Sequence, residues 1–237
     1  MTHSSDAQFT WTSEQNDRST DAIALLEQVN GTLLPHVKIT SVDPHDPVQV
    51  VSIPQPWQLL GAGNYAAVFA HPNYPYQVVK IYAPNRPGFE EEREVYQRLG
   101  IHPAFSCCYY ADQNVLILKR LYGVTLYDCL NLGKRIPKQV IRDIDRALHY
   151  ARSRGLFPHD IHARNVMMSD SHGLVVDVSD FLHQDYCAKW DHFKRAYYWI
   201  YLPIVVPLRL RIPHTMLDAV RRNYRRLCRL VSRDSQQ

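Results

Sequence analysis

The chain has 237 residues, of which 46% are hydrophobic and 21% are charged, with a formal net charge of +4. These values are typical of a globular protein with one domain or two lobes, and they exclude a mainly disordered chain. The charge is uneven, because residues 188–237 contain eleven Lys or Arg and three acidic residues, a local balance of +8.

The five cysteines have no CxxC spacing, and no apolar signal segment is present at the N-terminus. Both features favour a reduced, cytoplasmic location. The longest apolar run, Tyr197 to Leu208, is interrupted by Pro203 and Pro207. It is shorter than the roughly 20 residues that cross a bilayer, so we expect no transmembrane span.

The N-terminal region predicts a tail, a helix and two strands. Residues 1–18 are polar and predict a disordered tail. A helix capped by Ser19 or Thr20 is predicted from Asp21 to Asn30, with Gly31 as its end. Alternation between Val37 and Ile53 predicts two short strands joined by a turn. The predicted apolar side of the helix consists of Ile23, Leu25, Leu26 and Val29.

A glycine-containing turn between two predicted strands follows, over Leu60–Phe69. Gly61 and Gly63 allow the backbone to approach phosphate oxygens and to point N–H groups at them. Further along, Lys80 is the sole charge in the apolar run Val78–Tyr82. A lysine in a buried strand either extends to solvent or has an anionic partner.

The segment Phe89–Leu99 has the periodicity of an amphipathic helix. Glu92 is the acidic residue on its apolar face, so we predict an ion pair between Glu92 and Lys80. Glu90 and Glu91 complement the dipole at the helix N-terminus. The predicted apolar face consists of Phe89, Glu92, Val95, Tyr96 and Leu99.

Two apolar segments precede a polar loop. Val115–Leu118 predicts a buried strand that runs into a linker and a helix, and Pro137–Arg154 predicts a buried helix. The predicted apolar stripe of this helix consists of Val140, Ile141, Ile144, Ala147, Leu148 and Ala151. The loop after it places Asp160 and Asn165 five residues apart. Asp177 follows the apolar run Leu174–Val176.

Phosphoryl transfer from ATP requires a carboxylate that faces the acceptor hydroxyl, and an amide and a second carboxylate that hold the metal on the phosphates. Asp160, Asn165 and Asp177 provide these groups in this order. The alternative interpretation of the same residues is a polar loop with solvated acids.

Taken together, Leu60–Phe181 resembles the protein-kinase-like superfamily: a glycine loop, a strand lysine, a helix glutamate, a hinge-like strand, DxxxxN and a following aspartate. The resemblance implies an α+β, bilobal fold. Residues 19–120 would form a small β-rich N-lobe with an N-terminal helix, and residues 121–237 a compact, truncated helical C-lobe. It also implies ATP-dependent transfer of the γ-phosphate to a hydroxyl, with Ser or Thr of a protein as the favoured acceptor.

The resemblance assigns a role to each candidate residue. Lys80 would bind the α- and β-phosphates and Glu92 would orient it. Asp160 would accept the proton of the acceptor, while Asn165 and Asp177 would hold Mg²⁺. The backbones of Lys119 and Leu121 would bond adenine. The nucleotide-binding positions implied in the glycine loop are Gly61, Ala62, Gly63 and Val68.

The chain departs from the large protein kinases at several positions. Pro158-His159 replaces the histidine–arginine pair before Asp160, and Ala66 replaces the third glycine. His162 stands where Ser/Thr kinases have a lysine, which is similar to aminoglycoside phosphotransferases and to small atypical bacterial kinases. The turn after Asp177 lacks the usual Phe-Gly, and Asp180 is an alternative metal ligand.

Three other functions remain open at this stage. The first is a pseudokinase that binds nucleotide or acts as a scaffold, and the second is a small-molecule kinase. The third is a metal hydrolase that uses His159 and His162. The predicted helix Pro213–Val231 has an apolar stripe that includes Leu217 and Val220. It also has a row of arginines that is either a solvated face or a contact with an acidic partner, RNA or an anionic membrane. The row consists of Arg222, Arg225, Arg226 and Arg229.

Overall fold

The computed structural model describes residues 21–41, 43 and 46–223. Two compact units are present, the first formed by residues 1–100 and 106–120 and the second by residues 101–105 and 121–237. The predicted disordered tail, the caps Ser19 and Thr20, and Arg225, Arg226 and Arg229 lie outside the described residues.

The first unit is rich in β-strands. A two-stranded antiparallel sheet pairs β1 (Lys38–Thr40) with β2 (Gln49–Ser52), as the alternation predicted. The main sheet is antiparallel throughout, with strand order β3-β4-β5-β7-β6. Its strands are β3 (Gln58–Ala62), β4 (Ala66–Ala70), β5 (Gln77–Tyr82), β6 (Cys108–Asp112) and β7 (Val115–Lys119).

The N-terminal helix is longer than predicted. Helix α1 (21–28) continues into π-helical turns over Val29–Leu33, so Gly31 does not end it. The N–H of Leu34 donates to the carbonyl of Val29 (2.9 Å), and Leu33 is buried in the core with Val29. The prediction of a stop at Gly31 was wrong, because burial of Leu33 extends the helix past the glycine. Ile23, predicted on the apolar side, is exposed.

Helix α2 (Phe89–Leu99) buries the five residues that its periodicity placed on the apolar face. Strand β5 is buried along its length except at Lys80, which is partly exposed, as its apolar run predicted. Val79 and Ile81 belong to the core cluster that also holds α1, while Tyr82 packs edge-on against Phe89 of α2 at 5.8 Å between ring centroids.

The second unit is mainly helical. Helix α4 buries the six apolar residues of its predicted stripe, and a small sheet of order β10-β9-β8 packs on it. The α+β fold class, with a β-rich first unit and a helical second unit, is confirmed. Its elements are β8 (Val124–Thr125), α3 (Leu126–Leu132), α4 (Lys138–Ser153), β9 (Val166–Ser169), β10 (His172–Val175) and α5 (Lys189–Ala196).

The C-terminal part differs in detail from its prediction. Helix α5 runs directly into a π-helix, Tyr197–Val205, which contains Pro203. Helix α6 begins at residue 214 and is described to residue 223. Val220, predicted on the apolar stripe of α6, is exposed, so that assignment was wrong. Within the described residues, no helix combines the length and the apolar character that crossing a membrane requires.

We predict that Gly173→Ala lowers the free energy of unfolding by about 1–3 kcal/mol, because its Cβ would lie 2.4 Å from the carbonyl oxygen of Val140. Gly31→Ala is the control, since nothing lies within 4 Å of its added Cβ. Urea denaturation should show Gly31→Ala to be at least as stable as the wild type, by up to roughly 1 kcal/mol. A Gly173→Ala variant of wild-type stability would contradict the close packing of β10 on α4.

Candidate functional site

The first unit contains the predicted ion pair. The Nζ atom of Lys80 lies 2.6 Å from Oε2 of Glu92, whose side chain is 1% exposed, against 15% for Lys80. The hydroxyl of Tyr82 donates to the same carboxylate oxygen. Glu92 is therefore held by one ammonium and one phenol, while Lys80 keeps limited access to solvent.

The strand and helix patterns explain this cluster. Lys80 and Tyr82 are two residues apart on β5 and so project from the same face. Glu92 lies on the buried face of α2. Sequence reasoning missed Tyr82, although the two-residue period of a strand would have placed it beside Lys80.

The glycine loop lines up with Lys80 across three strands. Val68 pairs with Gly61 of β3 on one side and with Lys80 of β5 on the other. Neither Gly61 nor Gly63 has a Cβ clash in this structure: nothing lies within 4 Å at Gly61, and the nearest atom at Gly63 is 3.9 Å away. Packing inside the chain therefore does not require glycine at either position, whereas close approach of a ligand would favour it.

The hinge-like strand offers less to adenine than its sequence suggested. Lys119 ends β7, and its N–H donates to the carbonyl of Cys107 (2.9 Å). Its carbonyl accepts from the hydroxyl of Ser106 (2.7 Å). A carbonyl can accept two hydrogen bonds, so an additional bond at Lys119 would use this oxygen. Leu121 begins the next segment of the second unit.

In the second unit, the backbone of Asp160 has a φ of +52°. This left-handed conformation is uncommon outside glycine, although Asp tolerates it better than most residues. The Nδ2 atom of Asn165 donates to the carbonyl of Asp160 (3.1 Å), and the N–H of Asn165 donates to the carbonyl of His162 (2.9 Å). These bonds close the loop on itself and bring two of the predicted residues together.

Neighbouring segments fix the ends of this loop. The N–H of Phe157 donates to Phe181 (2.8 Å), and that of Val176 donates to Asn165 (3.0 Å). The N–H of Tyr127, in the first turn of α3, donates to Ala163 (2.9 Å). The loop therefore forms one hydrogen-bonded unit with the segment that carries Asp177.

Asp177 lies just past the end of β10, and its Oδ1 accepts from the N–H of Ser179 (3.2 Å). Burial raises the pKa of Asp180, and the negative charges of Asp177 and Asp160 raise it further. Three carboxylates thus concentrate negative charge at one place in this unit. Such a field favours a bound cation.

Lys189, which sequence reasoning missed, contacts Asp160. Its ammonium donates to Oδ1 of Asp160, while Nε2 of His162 lies 3.7 Å from Oδ2. Burial lowers the pKa of His162, although the charge of Asp160 opposes this effect. Lys189 begins α5, 29 residues after Asp160, and no local pattern links the two.

Helix α6 also contacts the loop. The guanidinium of Arg164 donates to Asp218 (2.8 Å) and lies 4.1 Å from the centre of the Tyr127 ring. The hydroxyl of Tyr127 donates to the same oxygen of Asp218 (2.9 Å). These contacts tie the loop to α3 and α6.

The two histidines of the alternative metal site have different neighbours. Nδ1 of His159 lies 3.2 Å from the carbonyl oxygen of Asp185, and its ring centre lies 5.7 Å from that of His183. His162 instead faces Asp160. In the described part of the chain, no group of three or more His, Cys, Asp or Glu residues is arranged to hold a metal ion.

Known proteins resemble this chain in sequence and in structure, and a protein of each kind is described below. The Bacillus subtilis (strain 168) protein named Putative serine/threonine-protein kinase YrzF is 29% identical over 155 residues, or 64% of this chain and 72% of that protein. The PknI kinase domain of Mycobacterium tuberculosis is 23% identical, with a TM-score of 0.40. That match covers 52% of this chain and 57% of the PknI chain, so this chain spans just over half of it. No family model matches the sequence.

The sequence relationship supports the resemblance of this chain to the protein-kinase-like superfamily. The match covers 155 residues, or 64% of the chain, and it assigns no role to a single residue. The roles assigned above to individual residues, together with ATP and Mg²⁺, stay predictions.

We predict that Asp180→Asn is more stable than the wild type at pH 7. The pKa of Asp180 is raised in the folded chain, so ionisation costs folding free energy as the pH rises above its ordinary value of 3.8. Acid titration of the unfolding free energy should show the advantage of Asp180→Asn shrinking as the pH falls from neutral towards about 4, and disappearing below that pH. Asp170→Asn, an exposed site, is the control. An advantage for Asp180→Asn that is equal at every pH would contradict this account.

Proposed function

We propose that the chain is an ATP-dependent phosphotransferase that moves the γ-phosphate to a hydroxyl, with Ser or Thr of a protein as the favoured acceptor. The observation that carries the proposal is the pairing of Lys80 with the almost fully buried Glu92. A buried carboxylate has a high desolvation cost, and fixing the position of an ammonium is a use that accounts for it.

The groups around Lys80 in the first unit suit the binding of a nucleoside triphosphate. The ammonium of Lys80 would bind the α- and β-phosphates, and Glu92 and Tyr82 hold it from the other side. Gly61 and Gly63 leave open space for phosphate oxygens to approach the backbone. Val68, which pairs with both Gly61 and Lys80, would contact the base or the ribose.

The second unit fits Mg²⁺. The side chains of Asn165 and Asp177 carry the oxygen ligands that Mg²⁺ prefers, and this ion often takes only one or two protein carboxylates beside the phosphates. Burial raises the pKa of Asp180, and the negative charges of Asp177 and Asp160, which a bound cation would offset, raise it further. ATP would supply the phosphoryl group, and a Mg²⁺ ion held by Asn165 and Asp177 would neutralise negative charge on the phosphates.

Asp160 is the proposed base. It would accept the proton of the acceptor hydroxyl, and its backbone is fixed by Asn165 and by the segment that carries Asp177. Lys189 would balance the charge of Asp160 and of the transferred group. His162 is less able to balance this negative charge, because burial lowers its pKa and favours the neutral ring.

The preference for a protein acceptor rests on the printed name of the Bacillus subtilis relative. A small hydroxylated molecule suits Asp160 equally well. A second candidate function, a nucleotide-binding or scaffold module without turnover, is favoured by one observation. The ammonium of Lys189 donates a hydrogen bond to the carboxylate of Asp160, which the reaction would need as a base.

Incubation of the full chain with γ-labelled ATP and Mg²⁺, together with protein and metabolite pools, tests the proposal. We expect labelled product from the wild type, a loss of at least about 10²-fold in Asp160→Asn and Asp177→Asn, and roughly 10-fold in Lys189→Gln. Asp170→Asn, outside this group, should keep the wild-type rate.

Whether the label enters a protein or a small molecule identifies the acceptor class. Wild-type rates in Asp160→Asn would refute the assignment of the base. ATP binding without any transfer of label would instead establish the scaffold function.

A further inference from the structure

The π-helix and the segment after it expose a continuous apolar surface in the second unit. We call this surface the Trp199 face. Trp199 is 79% exposed and Ile200 is 54% exposed. Isolated exposed apolar residues are ordinary, but a contiguous group of them marks an interaction site. The Trp199 face consists of Tyr198, Trp199, Ile200, Ile204 and Leu208, all of which are exposed.

The exposure of the face does not come from a poorly packed helix. Tyr197, Tyr201 and Val205 of the same helix are buried. The hydroxyl of Tyr197 donates to the carbonyl of Ile136 (2.9 Å), and the hydroxyl of Tyr201 accepts from the N–H of Ile136 (2.8 Å). One side of the helix is thus fixed to the unit, and the other side is held outward.

The surroundings of the Trp199 face are strongly basic. Residues 192–223 contain six Lys or Arg and one acid, Asp218, which already binds Arg164 and Tyr127. Lys194 pairs with Asp145 and Asp191, so the excess positive charge comes from the arginines. Arg195 is exposed four residues before Trp199, and so lies on the same side of the helix. Arg209 is exposed directly after Leu208. Basic side chains therefore stand at both ends of the apolar surface.

We propose that the Trp199 face docks on the surface of an anionic lipid bilayer. The charge of its flanks is complementary to anionic headgroups, and each Lys or Arg near such a surface adds about 1 kcal/mol, or roughly five-fold in affinity. Tryptophan and tyrosine prefer the headgroup region, and aliphatic side chains enter the boundary with the acyl chains.

The aliphatic residues distinguish this partner from RNA. Single-stranded RNA binds basic grooves and stacks its bases on aromatic rings, but it gives no burial to side chains such as Ile200, Ile204 and Leu208. A bilayer surface accommodates the aromatic, aliphatic and basic residues together. The docking needs no phosphoryl transfer, so it stands apart from the proposed function.

Co-sedimentation of the full chain with vesicles tests the inference. We expect binding to vesicles of phosphatidylcholine with about 30% phosphatidylglycerol, weaker binding at high salt, and little binding to pure phosphatidylcholine. In addition, tryptophan emission should shift to the blue on binding to the anionic vesicles, and the shift should be smaller in Trp199→Phe.

Two pairs of variants separate the apolar and the basic contributions. Trp199→Ser with Ile200→Ser should lose at least about ten-fold in affinity. Its matched control is Tyr186→Ser with Ile101→Ser, whose native side chains are 82% and 54% exposed, outside the face. Arg195→Gln with Arg209→Gln should also lose at least about ten-fold. Its matched control is Arg142→Gln with Arg152→Gln, two exposed arginines of α4.

The outcomes that overturn the inference are equally specific. Absence of wild-type binding to anionic vesicles would overturn it, as would full binding by the Trp199→Ser, Ile200→Ser variant. Dimerisation of the wild type that this variant abolishes would show that a second copy covers the face. Tight binding of single-stranded RNA, with none of vesicles, would assign the face to nucleic acid. The thermal midpoint of each variant should match that of its control, which excludes loss by unfolding.

Discussion

The contact between Lys80 and Glu92 is the interaction on which the first unit depends. Removing a carboxylate from water costs several kcal/mol, and only a close partner of opposite charge offsets that cost. Here the partners are an ammonium at 2.6 Å and the hydroxyl of Tyr82. Loss of the ammonium alone would leave Glu92 buried without charge compensation, at a cost of about 3–5 kcal/mol. The pair therefore links α2 to β5, and the register of β5 with β4 places Lys80 opposite Val68.

In the second unit, the negative charges of Asp160 and Asp177 act on the carboxyl group of Asp180. A left-handed backbone at Asp160, the amide of Asn165 and the hydrogen bond from Val176 define one loop. The pKa of Asp180 is raised first by burial and then by the charges of Asp177 and Asp160. Lys189 relieves part of this repulsion from outside the loop. Such charge crowding is typical of sites that bind cations and move protons, and fold stability alone does not require it.

Hydrophobic periodicity in the sequence predicted the helices whose apolar face is also the buried face in the structure. The apolar face of α2 placed Glu92 beside Lys80, and the stripe of α4 identified its six buried residues. The predicted end of the N-terminal helix at Gly31 was wrong, because burial of Leu33 outweighs the low helix propensity of glycine. The contact of Lys189 with Asp160 joins residues 29 positions apart through tertiary packing, which no local period reports.

The central proposal is that Lys80 binds the phosphates of ATP and that Asp177 holds Mg²⁺. The most direct measurement is the affinity for a non-hydrolysable ATP analogue, with and without Mg²⁺, in Lys80→Met and Asp177→Asn. The account predicts that Lys80→Met weakens binding in both conditions, by at least about ten-fold. Asp177→Asn should weaken binding only when Mg²⁺ is present. Wild-type affinity in either variant with Mg²⁺, or equal weakening of metal-free binding by Asp177→Asn, would contradict the account.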